Sequence, residues 1–240
     1  MHALGRDRFG GPLPRSGGAR RLSFVLGVIL SLSFVAATIT TPAQAAAPQR
    51  TATAAAAVDP VPLANAAIAR TQVQIRRLQI ASAIKTLGTL RTYVRRSHTA
   101  AMAQIGKPPT DPESDDLPGP PAVIIDLALE NRVTRALVPL VNRRLRADIV
   151  QALNYTLYVA HTLRQQMLTR VTGLDPEGDG GDYADGLSDR LPMYAAEVAL
   201  ITNGLRTYKL TAAGRLALQR ALTRSRLANA TMIAAYGGGE

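Results

Sequence analysis

The sequence predicts an all-α protein, organised as roughly a four-helix bundle with two long helices. Beyond residue 60, apolar residues recur at spacings of three, four and seven, and no segment shows the alternation of a strand. The chain has no Trp, and its three Phe all precede residue 35. Aliphatic side chains must therefore build the core, which suits close helix packing. Segments rich in Gly and Pro separate the helical stretches.

The first 45 residues have the order of a secretory signal peptide. Arginines crowd the start, an apolar run begins at Leu22 and ends near Thr40, and an A-x-A cleavage site follows at residues 43–45. We therefore predict cleavage near Ala45 and a protein that is secreted or held at the cell surface. An alternative stays open, because a run of about 20 apolar residues also suffices for an uncleaved membrane anchor.

Removing this leader changes what the composition indicates. The leader carries five Arg and one Asp, so the net charge falls from +11 to +7, and the remaining chain has no Phe, Trp or Cys. The lack of Cys excludes disulfides, cysteine nucleophiles and thiolate metal sites. The many remaining arginines favour an anionic partner, such as an envelope component, over nucleic acid, because export and the scarcity of aromatic residues argue against the latter. A protein partner or a second copy of the chain is a further alternative.

The first half of the folded region is predicted to hold the two long helices. Residues 46–60 form an Ala/Thr/Pro stretch without an apolar face, which we interpret as a flexible spacer. The apolar pattern over residues 61–105 then predicts one helix of about 40 residues. Prolines and acids in residues 106–121 end it. A second long helix is predicted over residues 122–171, with a kink or break just before Pro139.

Shorter helices are predicted in the second half. Residues 173–189 are rich in Gly and Asp and are expected to form a loop. A third helix should begin near residues 188–192, with a Ser or Asp cap and Pro in its first turn, and should end or bend near Gly204. The last helix is predicted over residues 211–236. The folded domain therefore spans residues 61–236, before a Gly-rich tail at residues 237–240 that stops the helix.

The acidic loop is the candidate metal site. Its spacing matches positions 1, 3, 5 and 6 of an EF-hand calcium loop and departs from that pattern at positions 8 and 12. The calcium ligands would be Asp175, Glu177, Asp179, Asp182 and Asp185. The alternative interpretation is a solvated loop whose acids offset the positive charge of the protein. No other cofactor is predicted.

A second candidate site lies on the second long helix. His161 has the chemistry of a general base, and Tyr158 precedes it by three residues, on the same helix face. Arg144 or Arg164 would hold an anionic substrate beside it. The simpler interpretation is the polar flank of an amphipathic helix.

Histidine-centred metal binding receives no support from sequence spacing. His98 and His161 are the two histidines that follow the leader, and each is isolated in the sequence. A metal site would need carboxylates such as Asp126, Glu130 or Glu197, and no H-x-x-x-H or E-x-x-H spacing is present.

The leading functional hypothesis is a non-enzymatic exported protein, because no catalytic motif occurs in the sequence. It would be a binding or structural module at the cell surface or in the medium, engaging anionic envelope components. One alternative is an exported all-α enzyme that acts on an anionic substrate near His161. Another is a protein retained in the membrane by its leader. The enzyme hypothesis requires His161 and at least two arginines at one concave pocket.

Overall fold

The computed structural model describes residues 59–108, 117–142, 145–175 and 177–237, without the side chain of Asp179. The predicted leader, nearly all of the spacer, most of the Gly-rich tail and Arg144 lie outside these residues. Within them, all regular structure is helical, which confirms the all-α prediction. The helices are α1 (Pro60–Arg76), α2 (Ile80–Met102), α3 (Gly119–Leu137), α4 (Ala147–Val171), α5 (Asp179–Ser188), α6 (Leu191–Thr207) and α7 (Ala212–Tyr236). The predicted number of roughly four helices is therefore too low.

The first predicted long helix is two helices, so the prediction of one helix over residues 61–105 is wrong. The backbone turns between α1 and α2 at Leu78, which has a φ of 58°. This left-handed conformation is uncommon for residues other than Gly and Asn. The turn folds α2 back so that it packs along α1. At the start of α1, the Asp59 carboxylate accepts a hydrogen bond of 2.9 Å from the backbone N–H of Val61.

The second predicted long helix also divides, at the position that its proline indicates. Helix α3 ends at Leu137, and a short 3₁₀ helix follows over Val138–Asn142 before α4 begins at Ala147. Pro139 lies in the 3₁₀ helix, where its missing backbone N–H breaks no α-helical ladder. The predicted break near Pro139 is confirmed, although it separates two helices instead of bending one.

The predicted loop over residues 173–189 is wrong in its second half, which forms α5. Helix α6 has Pro192 in its first turn, as expected, but Arg190 precedes it and no side chain caps it. The predicted Ser or Asp cap is therefore wrong. Gly204 is buried inside α6 and does not end it.

Helix α7 closes the chain as predicted. It begins after Thr211, whose Oγ1 accepts a hydrogen bond of 3.1 Å from the backbone N–H of Gly214. It ends at Tyr236, and Gly237 follows directly, in agreement with the predicted stop.

Helices α2, α3 and α4 pack on one another, and α7 packs between α4 and α6. Their apolar side chains form two separate clusters. The first cluster includes Val94, Val133, Leu157, Ala160, Ile201 and Ala221. The second cluster includes Ala101, Leu127, Met167, Tyr194 and Ala228. Among the described helices, none combines the length and the hydropathy that a bilayer crossing requires.

Candidate functional site

A layer of buried polar side chains lies between the two apolar clusters. On α4, Arg164 comes four residues after Ala160 of the first cluster and three before Met167 of the second. On α7, Ser225 lies between Ala221 and Ala228 in the same way. The polar layer consists of Ser97, His98, Asp126, Glu130, Asn131, Thr134, His161, Arg164, Glu197 and Ser225, all buried. Because buried polar groups are costly without partners, their pairing largely decides what this layer can do.

Glu197 is the acceptor at one end of the polar layer. Its Oε1 accepts hydrogen bonds from Arg164 Nη1 at 2.8 Å and from Ser225 Oγ at 2.6 Å. Its Oε2 accepts from Asn131 Nδ2. The Arg164 guanidinium also lies 5.3 Å from the centre of the Tyr194 ring. Both charges are fully buried, so Arg164 and Glu197 form an ion pair that depends on its hydrogen-bonded neighbours.

The surroundings of His161 favour the neutral imidazole. Thr134 Oγ1 donates to the backbone carbonyl of Glu130, so it is free to accept a hydrogen bond from His161 Nε2 at 2.9 Å. That arrangement leaves the proton on Nε2 and the lone pair on Nδ1, which is buried without a hydrogen-bond partner among the described residues. Burial, reinforced by the positive charges of Arg164 and Arg224, lowers the pKa of His161 well below its usual value.

At the other end of the polar layer, α2 and α3 bring one imidazole and two carboxylates together. Asp126 accepts a hydrogen bond of 2.6 Å from Ser97 Oγ, and its other oxygen lies 3.3 Å from His98 Nδ1. Glu130 stands one helical turn further along α3, and neither of its carboxylate oxygens has a hydrogen-bond partner among the described residues. Burial, together with the neighbouring Asp126 carboxylate, raises the pKa of Glu130 well above its usual value.

A groove of about 680 Å³ runs along the surface between α4 and α7. Among the described residues, its lining contains two arginines, Arg170 and Arg224, and no carboxylate. His161 is the most deeply buried residue of the lining, with 2% of its surface exposed. Amides and hydroxyls complete the polar part of the groove, from Thr162, Gln165, Gln166 and Thr169.

The structure separates the residues that the sequence grouped around His161. Arg164 is buried and committed to Glu197, so it does not reach the groove. Tyr158 is 44% exposed, and the Arg224 guanidinium stacks on its ring at 4.7 Å. The two groove arginines, Arg170 and Arg224, were not among the predicted partners of His161.

The acidic segment does not have the form that the calcium prediction assumed. Asp182 and Asp185 lie within α5 and are exposed, and that helix begins at Asp179, inside the stretch that the calcium prediction took as a loop. Asp175 and Glu177 precede that helix and are also exposed. Among the described residues, the group able to surround a metal ion is His98, Asp126 and Glu130. The calcium site therefore stays a prediction of the sequence alone.

The polar layer is the feature that sequence reasoning missed. Its members do carry a weak signal, because several occupy positions of an apolar stripe. Glu197, for example, lies three residues after Tyr194 and four before Ile201, which are both fully buried. A charged residue at such a position predicts a buried polar group, but not its partner on another helix.

Comparison with known proteins does not extend these observations. No protein-family model, no curated protein and no solved structure matches the chain.

Proposed function

We propose that this chain is an exported helical protein that binds a small anionic molecule in the groove between α4 and α7. The observation that carries the proposal is the charge of the lining, whose described residues include Arg170 and Arg224 and no carboxylate. Guanidinium groups pair with carboxylate and phosphate oxygens through directed hydrogen bonds. An unopposed pair of them in one concavity favours an anionic ligand.

The dimensions of the groove support a small ligand. Its volume of about 680 Å³ lies within the roughly 300–1,000 Å³ that ligand sites occupy. Leu227 adds an apolar wall, with 54% of its surface exposed. Arg224 is held in place by stacking on Tyr158, and its Nη1 is buried without a hydrogen-bond partner among the described residues. The stacking limits the freedom that the guanidinium loses when an anionic oxygen binds to it.

Export is part of the proposal and rests on the leader in the sequence. An exported protein meets anionic molecules both in the medium and in the cell envelope, so the same groove serves a free metabolite or an acidic group of an envelope polymer. A binding role agrees with the absence of catalytic motifs from the sequence.

A second candidate function is catalysis in the same groove, and the state of His161 favours it. The surroundings of His161 favour the neutral imidazole, and its Nδ1 has no hydrogen-bond partner among the described residues. The residue lies with Arg170 and Arg224 at one groove, but its side chain is fully buried, so a substrate reaches it only if the groove opens. This is the combination of one histidine and two arginines that an anion-directed enzyme requires. Its general base would be His161, and the arginines would hold the substrate. Tyr158 and Arg164 would have no direct contact with the substrate.

The binding proposal is tested with arginine variants of matched size. Purified protein is titrated with phosphate, citrate and a sugar phosphate by calorimetry, with the neutral sugar as reference. We expect Arg224→Met and Arg170→Met each to weaken anion binding at least about tenfold, the loss of one charged hydrogen bond. Arg215→Met is the control, because Arg215 is exposed at the start of α7, outside the groove lining.

Three outcomes would overturn the proposal: no anion binds at millimolar concentration, the neutral sugar binds equally well, or Arg215→Met is as harmful as the groove variants. Catalysis is separated from binding with His161→Gln. If the second candidate is right, this variant keeps anion affinity within a few fold and loses turnover of the bound compound, measured by mass spectrometry of the products.

A further inference from the structure

The geometry of the His98 end of the polar layer points to a second site, independent of the groove. We propose that His98, Asp126 and Glu130 bind one divalent transition-metal ion. Each residue offers one ligand atom, and the three atoms all lie within 4.8 Å of one another. The separation of 3.3 Å between His98 Nδ1 and Asp126 Oδ2 fits two ligands of one metal ion. Metal–ligand bonds of about 2.0–2.2 Å place neighbouring ligand atoms about 3–3.5 Å apart.

Glu130 is buried, but its side chain makes no hydrogen bond among the described residues that would explain its burial. Its side chain is fully buried, and neither Oε1 nor Oε2 has a hydrogen-bond partner among the described residues. Arg164, a cation of the same polar layer, already donates to Glu197 and Ser225. A buried carboxylate beside a second carboxylate is costly unless one of them is protonated or a positive charge joins them. A metal ion supplies that charge and uses the free oxygens of Glu130.

Asp126 is already oriented for such a role. Ser97 Oγ donates a hydrogen bond of 2.6 Å to Oδ1, which leaves Oδ2 directed to His98. Hydrogen bonds of this kind fix metal-ligating carboxylates in many proteins. Asp126 and Glu130 are four residues apart on α3, so they share one helix face, and His98 approaches from α2.

The ligand chemistry indicates the class of ion. One imidazole nitrogen with two carboxylate oxygens suits Zn²⁺ or Mn²⁺ better than Mg²⁺, because imidazole is a ligand for transition metals. Three protein ligands leave a coordination position for water, as in catalytic zinc sites. Access is available on the Ser97 side, since Ser97 lines a surface cavity of about 200 Å³ and His98 is 7% exposed.

The test measures metal binding directly, on protein first stripped with a chelator. Zn²⁺ and Mn²⁺ are titrated by calorimetry with Mg²⁺ for comparison, and Co²⁺ is added to report nitrogen ligation by visible absorption. We expect one Zn²⁺ per chain, and affinity losses of at least about 100-fold in Glu130→Gln and His98→Gln, since even outer-shell changes cost 10–100-fold. Asp148→Asn removes a half-exposed carboxylate that belongs to neither candidate metal site and serves as the control, with affinity expected within about twofold of the parent protein.

Circular dichroism and thermal unfolding show whether each variant is folded. If Glu130→Gln does not fold, the Co²⁺ spectrum of His98→Gln decides, because losing the nitrogen ligand shifts the absorption bands. Failure to bind Zn²⁺ at millimolar concentration would overturn the proposal. Unchanged Zn²⁺ affinity in folded His98→Gln and Glu130→Gln would do the same, since it would place the ion elsewhere. Neither result bears on the groove, which contains none of these residues.

Discussion

Truncation of Glu197 to Ala should destabilise the protein more than almost any other single carboxylate change. The variant removes the acceptor of three hydrogen bonds and leaves the Arg164 guanidinium buried without a counter-ion. Breaking a buried ion pair by removing one partner costs about 3–5 kcal/mol. For a domain of this size, each kcal/mol lowers Tm by about 2–4 °C, so we expect a fall of about 6–20 °C.

Asp148 provides the matched control for this prediction. Its carboxylate lies 2.9 Å from Arg146, almost the same separation as the 2.8 Å of the buried pair, but the two side chains are 42% and 74% exposed. Asp148→Ala should therefore cost about 1 kcal/mol or less, because water screens an exposed pair. Urea unfolding at neutral pH, followed by circular dichroism, gives both free energies of unfolding.

A double variant tests the cause of the expected loss. Replacing both charges, as in Arg164→Met with Glu197→Leu, removes the unpaired guanidinium as well as the carboxylate. It should be less destabilising than Glu197→Ala alone, since buried ion pairs exchange for apolar residues at small cost. If Glu197→Ala proves no more harmful than Asp148→Ala, the assignment of Glu197 to a buried ionic centre is refuted.

Three further predictions concern single positions. Stability should fall as the pH decreases below about 6.5, because folding lowers the pKa of His161 and protonation therefore favours the unfolded chain. Urea titrations from pH 8 to pH 5 should show a smaller loss of stability in His161→Gln, and an equal dependence on pH in both proteins would contradict the lowered pKa of His161. Leu78→Gly should raise the free energy of unfolding by about 0.5 kcal/mol, because relief of a left-handed Leu, worth about 1–2 kcal/mol, outweighs the added chain entropy; a loss of stability in thermal unfolding would refute this. Gly119→Ala should lower the free energy of unfolding by about 1–3 kcal/mol, since the new Cβ would overlap the hydroxyl of buried Tyr183. An unchanged stability in thermal unfolding would show that the Tyr183 ring moves aside.

The predicted helices agree with the structure where the apolar periodicity ends at a Pro or a Gly. Pro139 marked its break, and Gly237 marked the end of the last helix. The turn at Leu78 could not be predicted in the same way, because the residue that takes the left-handed conformation is a leucine instead of a glycine or asparagine. Helix α5 escaped prediction because its Gly and Asp content is typical of loops.

The sites depend on contacts between distant parts of the chain. His98 and Asp126 are on different helices, and Arg164 meets Glu197 across 33 residues, so no local spacing indicates either pair. His161 was identified from its chemistry, and it lies at the floor of a groove with its side chain fully buried. The two arginines beside it in the groove are Arg170, further along α4, and Arg224 on α7. Only the packing of these two helices brings the arginines to His161.

The polar layer also sets limits on how the chain can change in length. A residue inserted in α4 ahead of His161 rotates everything after it by about 100°, the angle between successive helix positions. Arg164 would then no longer contact Glu197, while many apolar side chains could still pack against other apolar side chains. We therefore expect insertions and deletions to be tolerated in the connecting segments and rejected inside the helices that carry the layer.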